Sequence, residues 1–186
     1  VHATRVVLTG VEAVQGFETV LRQDSSNTRA WTGLATAYTW AERHGIPLPG
    51  VPAESLGPMA IRFSEHAVRI DSLDSDAWLA RGLIDEYLDP ARKVIALEAY
   101  RQATVLDSTN AEAWARLGTV LADMSRDEEA LVAYLKAEAL APEYHSYKVP
   151  LHYLWFRQFD SATAWVDRAV AAAPNAYWTR FAAGTV

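Results

Sequence analysis

The sequence predicts an all-α solenoid of antiparallel helix pairs, and three observations carry the prediction. A phrase opening on Ala-Trp recurs as Ala30-Trp31-x2-Leu34-Ala35-x2-Tyr38, Ala77-Trp78-x2-Arg81-Gly82 and Ala113-Trp114-x2-Leu117-Gly118. Each is followed by a second phrase of small, aromatic and small residues, as in Ala96-x3-Tyr100-x2-Ala103 and Ala130-x3-Tyr134-x2-Ala137. The step from the second phrase to the next Trp position is 11 residues at Val20 to Trp31, Ala67 to Trp78, Ala103 to Trp114, Ala137 to Lys148 and Ala169 to Arg180. A register held this often is a structural repeat, and a repeat decides the fold.

The elements follow in order. Residues from about 6 to 24 form the second helix of a half repeat, and full repeats span about 28–72, 75–108, 111–142 and 145–174. A further first helix begins at 177–186, where Ala183-Gly184 fall on the Leu-Gly positions. Trp31, Leu34, Tyr38 and likewise Trp114, Leu117, Leu121 recur at i, i+3, i+7, which puts each set on one helical face. Gly82, Gly118 and Ala35 let the two helix backbones approach closely, while Tyr100 and Tyr134 are expected to fill the space between repeats. Between repeats, Asp24-Ser25-Ser26-Asn27, Asp71-Ser72-Leu73-Asp74 and Asp107-Ser108-Thr109-Asn110 supply turn formers and N-cap oxygens; Pro142 and Pro174 take those turns later.

Within a repeat, the interval from Trp position to second-phrase small residue shrinks from 36 to 25, 23 and 21 residues along the chain. The longest interval holds a Pro- and Gly-rich insertion, Arg43 to Pro58, which cannot continue either helix. Its apolar Ile46, Leu48, Val51 and Leu56 are expected to pack locally. The insertion reads equally as a functional loop or as a stiffened cover over the neighbouring helices.

This combination resembles the tetratricopeptide repeat (TPR) over about Ala13 to Gly184, and the unit Trp114 to Pro142 matches the 34-residue pattern best. The resemblance implies a right-handed superhelix whose first helices line a concave groove. Arg81 and Asp85 stand where the family has Leu and Tyr, and Lys148 and His152 where it has Trp and Gly. Irregular packing is therefore expected in the fourth repeat, with Tyr153 and Trp155 compensating. More distantly, the widened first repeat resembles repeat segments of bacterial signalling kinases, cyclases and DNA-binding regulators, and the chain is expected to be a segment of a longer protein.

Carrying the groove over position by position places Thr32, Thr36, Thr39 and Trp40; Leu79, Leu83, Glu86 and Tyr87; Ala115, Thr119, Ala122 and Asp123; and Val149, Tyr153, Phe156 and Arg157 on it. The expected partner-binding set is Thr36, Trp40, Leu79, Leu83, Tyr87, Thr119, Asp123, Tyr153, Phe156 and Arg157. It lacks the Lys, Asn and Arg constellation with which some family members grip a C-terminal carboxylate. A helix or peptide docking through apolar anchors is expected instead. Rival readings are a small-molecule sensor and an assembly module that self-associates through its repeat ends.

Composition narrows the classes. Of 186 residues, 51% are hydrophobic and 22% charged, with a formal net charge of −6 and no cysteine. That content builds a core, and the acidic balance without a Lys/Arg cluster argues against a nucleic-acid partner. No apolar run reaches the roughly 20 residues of a membrane span, and no signal peptide opens the chain, so a cytoplasmic place is slightly favoured. The five histidines are scattered without paired-ligand spacing. No nucleophile turn or phosphate loop is present, so neither enzyme activity, metal nor cofactor is expected. Asp85-Glu86, Glu128-Glu129 and Asp167-Arg168 read as solvated helix faces.

Overall fold

The computed structural model describes residues 2–141, 148–155 and 157–172. All regular structure among them is helical: α1 (His2–Gln23), α2 (Thr28–His44), α3 (Leu56–Ile70), α4 (Ser75–Leu88), α5 (Lys93–Leu106), α6 (Ala111–Asp123), α7 (Asp127–Leu140), α8 (Lys148–Trp155) and α9 (Phe159–Ala172). They fall into two compact units, Val1–Leu106 and Asp107–Val186. In the first unit α1 packs on α2, α2 on α3 and α4, α3 on α4, and α4 on α5. In the second, α6 pairs with α7 and α8 with α9, and α7 touches α8. Pro142, Phe156, Pro174, Trp178 and the further helix expected at 177–186 lie outside the described residues.

The turn that opens each of the first three repeats is one device built three times. The carboxylates of Asp24, Asp71 and Asp107 accept the backbone N–H two residues on, from Ser26 (3.0 Å), Leu73 (2.9 Å) and Thr109 (2.9 Å). Asn27, Asp74 and Asn110 then cap the next helix, accepting from the N–H of Ala30, Ala77 and Ala113. The indole N–H of Trp31, Trp78 and Trp114 donates back to the carbonyls of Ser25, Ser72 and Ser108 at 2.9, 2.9 and 3.0 Å. Each Trp thus ties the start of its helix to the turn before it, which is why the spacing around it does not drift. Trp114→Ala loses that bond and the burial of a half-exposed indole; a cost of about 3 kcal/mol is expected in urea unfolding, and an unchanged midpoint would contradict the tie.

Ser26 and Thr109 hydrogen-bond the ionised carboxylates of Asp24 and Asp107 and so hold both below the ordinary aspartate value of 3.8. A depressed folded-state value means that this stabilisation is present above the ordinary value and is lost as the pH falls through the lowered one.

Close helix approach is set by matched sizes. A Cβ added at Gly82 would meet the Tyr100 ring at 2.5 Å, and one at Gly118 would meet the Tyr134 ring at 2.7 Å. At the same two registers the first repeat has the buried pair Ala35 and Ser64. The core of the first unit joins Val14, Leu34, Tyr38 and Ile84 to Leu48 and Leu56 of the insertion, with Ile46 and Val51 packed against it. Gly45 lets α2 end in a left-handed cap at φ 61°, and Gly50 makes the next bend at φ 76°. The insertion is therefore part of the core of its unit.

Two expectations are corrected here. Asp85 is not on a solvated face: its side chain is fully buried, accepting from Arg81 Nε and, at 2.6 Å, from Arg92 Nε. Glu65 receives the outer nitrogens of both arginines at 3.1 and 3.5 Å. The paired departures Arg81 and Asp85 are thus one substitution, an apolar contact exchanged for a charged cluster. Trp155, expected to compensate in the fourth repeat, is 79% exposed. The large side chain filling that repeat is Trp165 of α9, fully buried with its indole N–H on Glu138 of α7.

Candidate groove

Within the first unit α1, α2 and the start of α4 enclose a groove of about 700 Å³. From α1 it takes Gly10, Ala13 and Phe17; from α2, Arg29, Thr32, Gly33, Thr36, Ala37 and Trp40; from the turn before α4 and its first residues, Asp74 and Asp76. Two crossed pairs bring the helices together. A Cβ at Gly10 would meet the Trp40 ring at 2.9 Å, and one at Gly33 would collide with the Phe17 ring. Each helix thus supplies one aromatic and the glycine that receives the other's, leaving a shallow apolar surface between them. The Trp40 and His44 rings also meet at 5.1 Å between centroids, tilted by 46°. Thr36 Oγ1 donates to the Thr32 carbonyl (2.9 Å), turning its methyl outward from a satisfied hydroxyl. The charged lining residues Arg29, Asp74 and Asp76 give a mixed charge with an acidic excess, and the Thr32 hydroxyl is buried in the lining without a hydrogen-bond partner.

The structure brings Thr32, Thr36 and Trp40 of the expected set together in this concavity. Thr39 does not join them: it is buried and its hydroxyl donates to the Ala35 carbonyl at 2.8 Å. Leu79, only 9% exposed, contributes packing rather than open surface, while Leu83 is half-buried. Tyr87 carries the Arg43 guanidinium over its ring at 4.1 Å, and Glu86 accepts from the Tyr100 hydroxyl at 2.5 Å.

In the second unit Thr119 is half-buried and donates to the Ala115 carbonyl at 3.0 Å, Asp123 is exposed at the end of α6, and Tyr153 is half-buried on α8. Ala115 and Val149 are buried. Arg157 is corrected: α8 ends at Trp155, and Arg157 sits in the turn at φ 58°. There its N–H donates to the Leu154 carbonyl and that of Gln158 to Tyr153, a left-handed helix cap. The interval between the two phrases is two residues shorter here than in the third repeat, and counting nine residues from Lys148 reaches past the helix into this turn. Phe156 lies outside the described residues.

The α1 wall was missed by carrying the groove over through first helices alone. The clue was present in the half repeat, where Gly10, Ala13 and Phe17 sit at helical spacing. Among the described residues no group of three His, Cys, Asp or Glu is placed to hold a metal ion, and no helix is long and apolar enough to cross a membrane.

No protein-family model and no curated protein sequence matches the chain. Solved structures do. The chain is similar to MamA, with a TM-score of 0.68 and 22% identity over 91% of this chain and 86% of that one. It is similar to YrrB, described as a TPR protein with an unusual peptide-binding site, with a TM-score of 0.67 and 19% identity over 98% and 88% of the two chains. The thermophilic TPR protein TTC0263 of Thermus thermophilus follows at 0.66, with 18% identity over 90% and 85%. At these identities the likeness is one of fold, and the fold is the all-α TPR solenoid type.

Proposed function

We propose that the chain is a protein-interaction module, without catalytic chemistry of its own, that holds an apolar segment of a partner protein in the groove between α1 and α2. The observation that carries this is the groove itself: an apolar floor of Ala13, Phe17, Thr36, Ala37 and Trp40 with its charge limited to Arg29, Asp74 and Asp76. Such a surface recognises side-chain anchors rather than a terminal carboxylate. A peptide site is described for the similarly folded YrrB, and the same kind of use suits this chain. Leu83 and Tyr87 on α4 are further proposed contacts, and Thr119, Asp123 and Tyr153 those of the second unit.

Panning a displayed peptide library against the chain tests this reading. Selected peptides are expected to bind with micromolar dissociation constants. Thr36→Arg, which fills the groove from an exposed position, should weaken them at least about tenfold while the helical circular dichroism stays unchanged. Leu83→Asp is expected to weaken them less, since it lies on α4. Binding insensitive to both substitutions would place the site elsewhere. The groove volume also lies in the range of small-molecule pockets, so an apolar ligand is the second reading; native mass spectrometry of the purified chain would show it as a bound mass that Thr36→Arg removes.

A further inference from the structure

We propose that the chain has a second docking site, a cleft of about 400 Å³ among α3, α4 and α5, whose occupant is an extended segment of a partner protein inserting one aromatic side chain. The first repeat shows the equivalent place filled. There the Phe63 ring of α3 meets Trp31 at 5.5 Å and Tyr38 at 5.1 Å between centroids, over a core that includes Leu34. A shift of 47 residues carries Trp31, Leu34 and Tyr38 of α2 onto Trp78, Arg81 and Asp85 of α4, and one of 36 carries Phe63 onto Ala99 of α5. The second repeat therefore lacks the ring. Trp78, half-buried, meets no other ring among the described residues, and it lines the cleft together with Ala99 and Arg81. An aromatic side chain brought in from outside restores the contact that Phe63 makes on Trp31.

The polar lining specifies the backbone that carries this ring. Arg81 spends Nε on Asp85 and Nη2 on Glu65, and its Nη1 makes no bond. Among the described residues the buried side-chain polar atom without a partner is Thr32 Oγ1, so Nη1 reaches solvent, in the cleft that Arg81 lines. A donor this close to burial calls for an acceptor. Arg81 and Arg92 are already balanced by Asp85 and Glu65, so a further carboxylate would add uncompensated charge. The fitting acceptor is neutral, the backbone carbonyl that every peptide residue carries beside its side chain. Ile95, 42% exposed, adds an apolar edge to the same cleft. The occupant is a segment rather than a second copy: a cleft of about 400 Å³ takes one large side chain and its backbone, far short of the roughly 800 Å² per partner that a stable dimer buries.

The probe is a displayed library of the form x4-Phe-x4, panned on the full chain carrying Thr36→Arg so that the α1–α2 groove is silent. Selected peptides, synthesised with blocked ends, are then titrated by fluorescence anisotropy. Saturable 1:1 binding is expected, equal for the parent and the Thr36→Arg chain. Replacing the central Phe by Ala in the peptide, or Ala99→Phe in the chain, should each weaken it at least about tenfold. Ile95→Asp, at an exposed position, should weaken it several-fold with the helical circular dichroism unchanged, and it carries the test alone if Ala99→Phe unfolds the chain. Because the acceptor is neutral, added salt should change the affinity little. No selected peptide, binding indifferent to Ile95→Asp, or a steep loss of affinity with salt overturns the proposal. A concentration-dependent dimer of the chain alone, dispersed by Ile95→Asp, assigns the cleft to a second copy and overturns it as well. The outcome at Thr36 belongs to the other groove and leaves this one standing or falling by itself.

Discussion

Asp85→Leu is expected to destabilise the chain by about 3 to 5 kcal/mol, the range for removing one partner of a buried ion pair. The carboxylate is fully buried between two guanidinium groups, at Arg81 and Arg92. Removing it leaves Arg81, whose side chain is only 12% exposed, without its inner partner. Glu65 cannot replace it, since it meets the outer nitrogens from a side chain that is 41% exposed. The cost is therefore mostly that of stranding charge, not the net worth of the cluster. Replacing both members, Arg81→Leu with Asp85→Tyr, restores the residue types usual in the repeat and is expected to recover most of the loss. Urea unfolding of the two variants reads this directly; a single variant within about 1 kcal/mol of the parent would contradict the buried cluster.

Trp165→Ala is expected to cost about 3 to 5 kcal/mol in the second unit. It is the largest fully buried side chain described, and its indole N–H is held by Glu138. Truncation opens a cavity between α7 and α9 and leaves the Glu138 carboxylate without its donor. Trp155→Ala is the internal control, because a side chain 79% exposed contributes little burial. The account requires the first to lower the urea midpoint well below the second; equal midpoints would contradict the placement of α9.

The repeat itself was legible because periodicity is a property of spacing. At the three turns after α1, α3 and α5 the 11-residue step spans a turn, a helix cap and an indole-to-carbonyl bond that recur as a unit. Tertiary exchanges were less legible. Asp85 beside Glu86 has the composition of a wet face, and its burial is tolerable because Arg81 is joined on the carboxylate by Arg92, brought in by the short helical turn Pro90–Arg92. Nothing local announces that partner. Arg157 was misplaced for a different reason: a count along an ideal helix cannot see that the chain has left the helix at Arg157, which sits in a turn at φ 58°. The α1 wall of the groove was hidden because only first helices were carried over to it, while Gly10 and Phe17 pair with Trp40 and Gly33 across a helix contact that one-dimensional spacing does not encode. Thr32, Thr36 and Trp40 line one concavity because α2 is a regular helix without interruption.

The central claim is the proposed one, that an apolar segment of a partner protein is held between α1 and α2. Chemical-shift mapping on the isotope-labelled chain, titrated with a peptide selected from the library, tests it most directly. The account predicts the largest shifts at the amides of Gly10, Ala13, Phe17, Gly33 and Thr36 and at the Trp40 indole, with α3 and α5 little changed. Shifts concentrated on α3, α5 or the insertion from Gly45 to Ser55, with the α1–α2 groove silent, would contradict it.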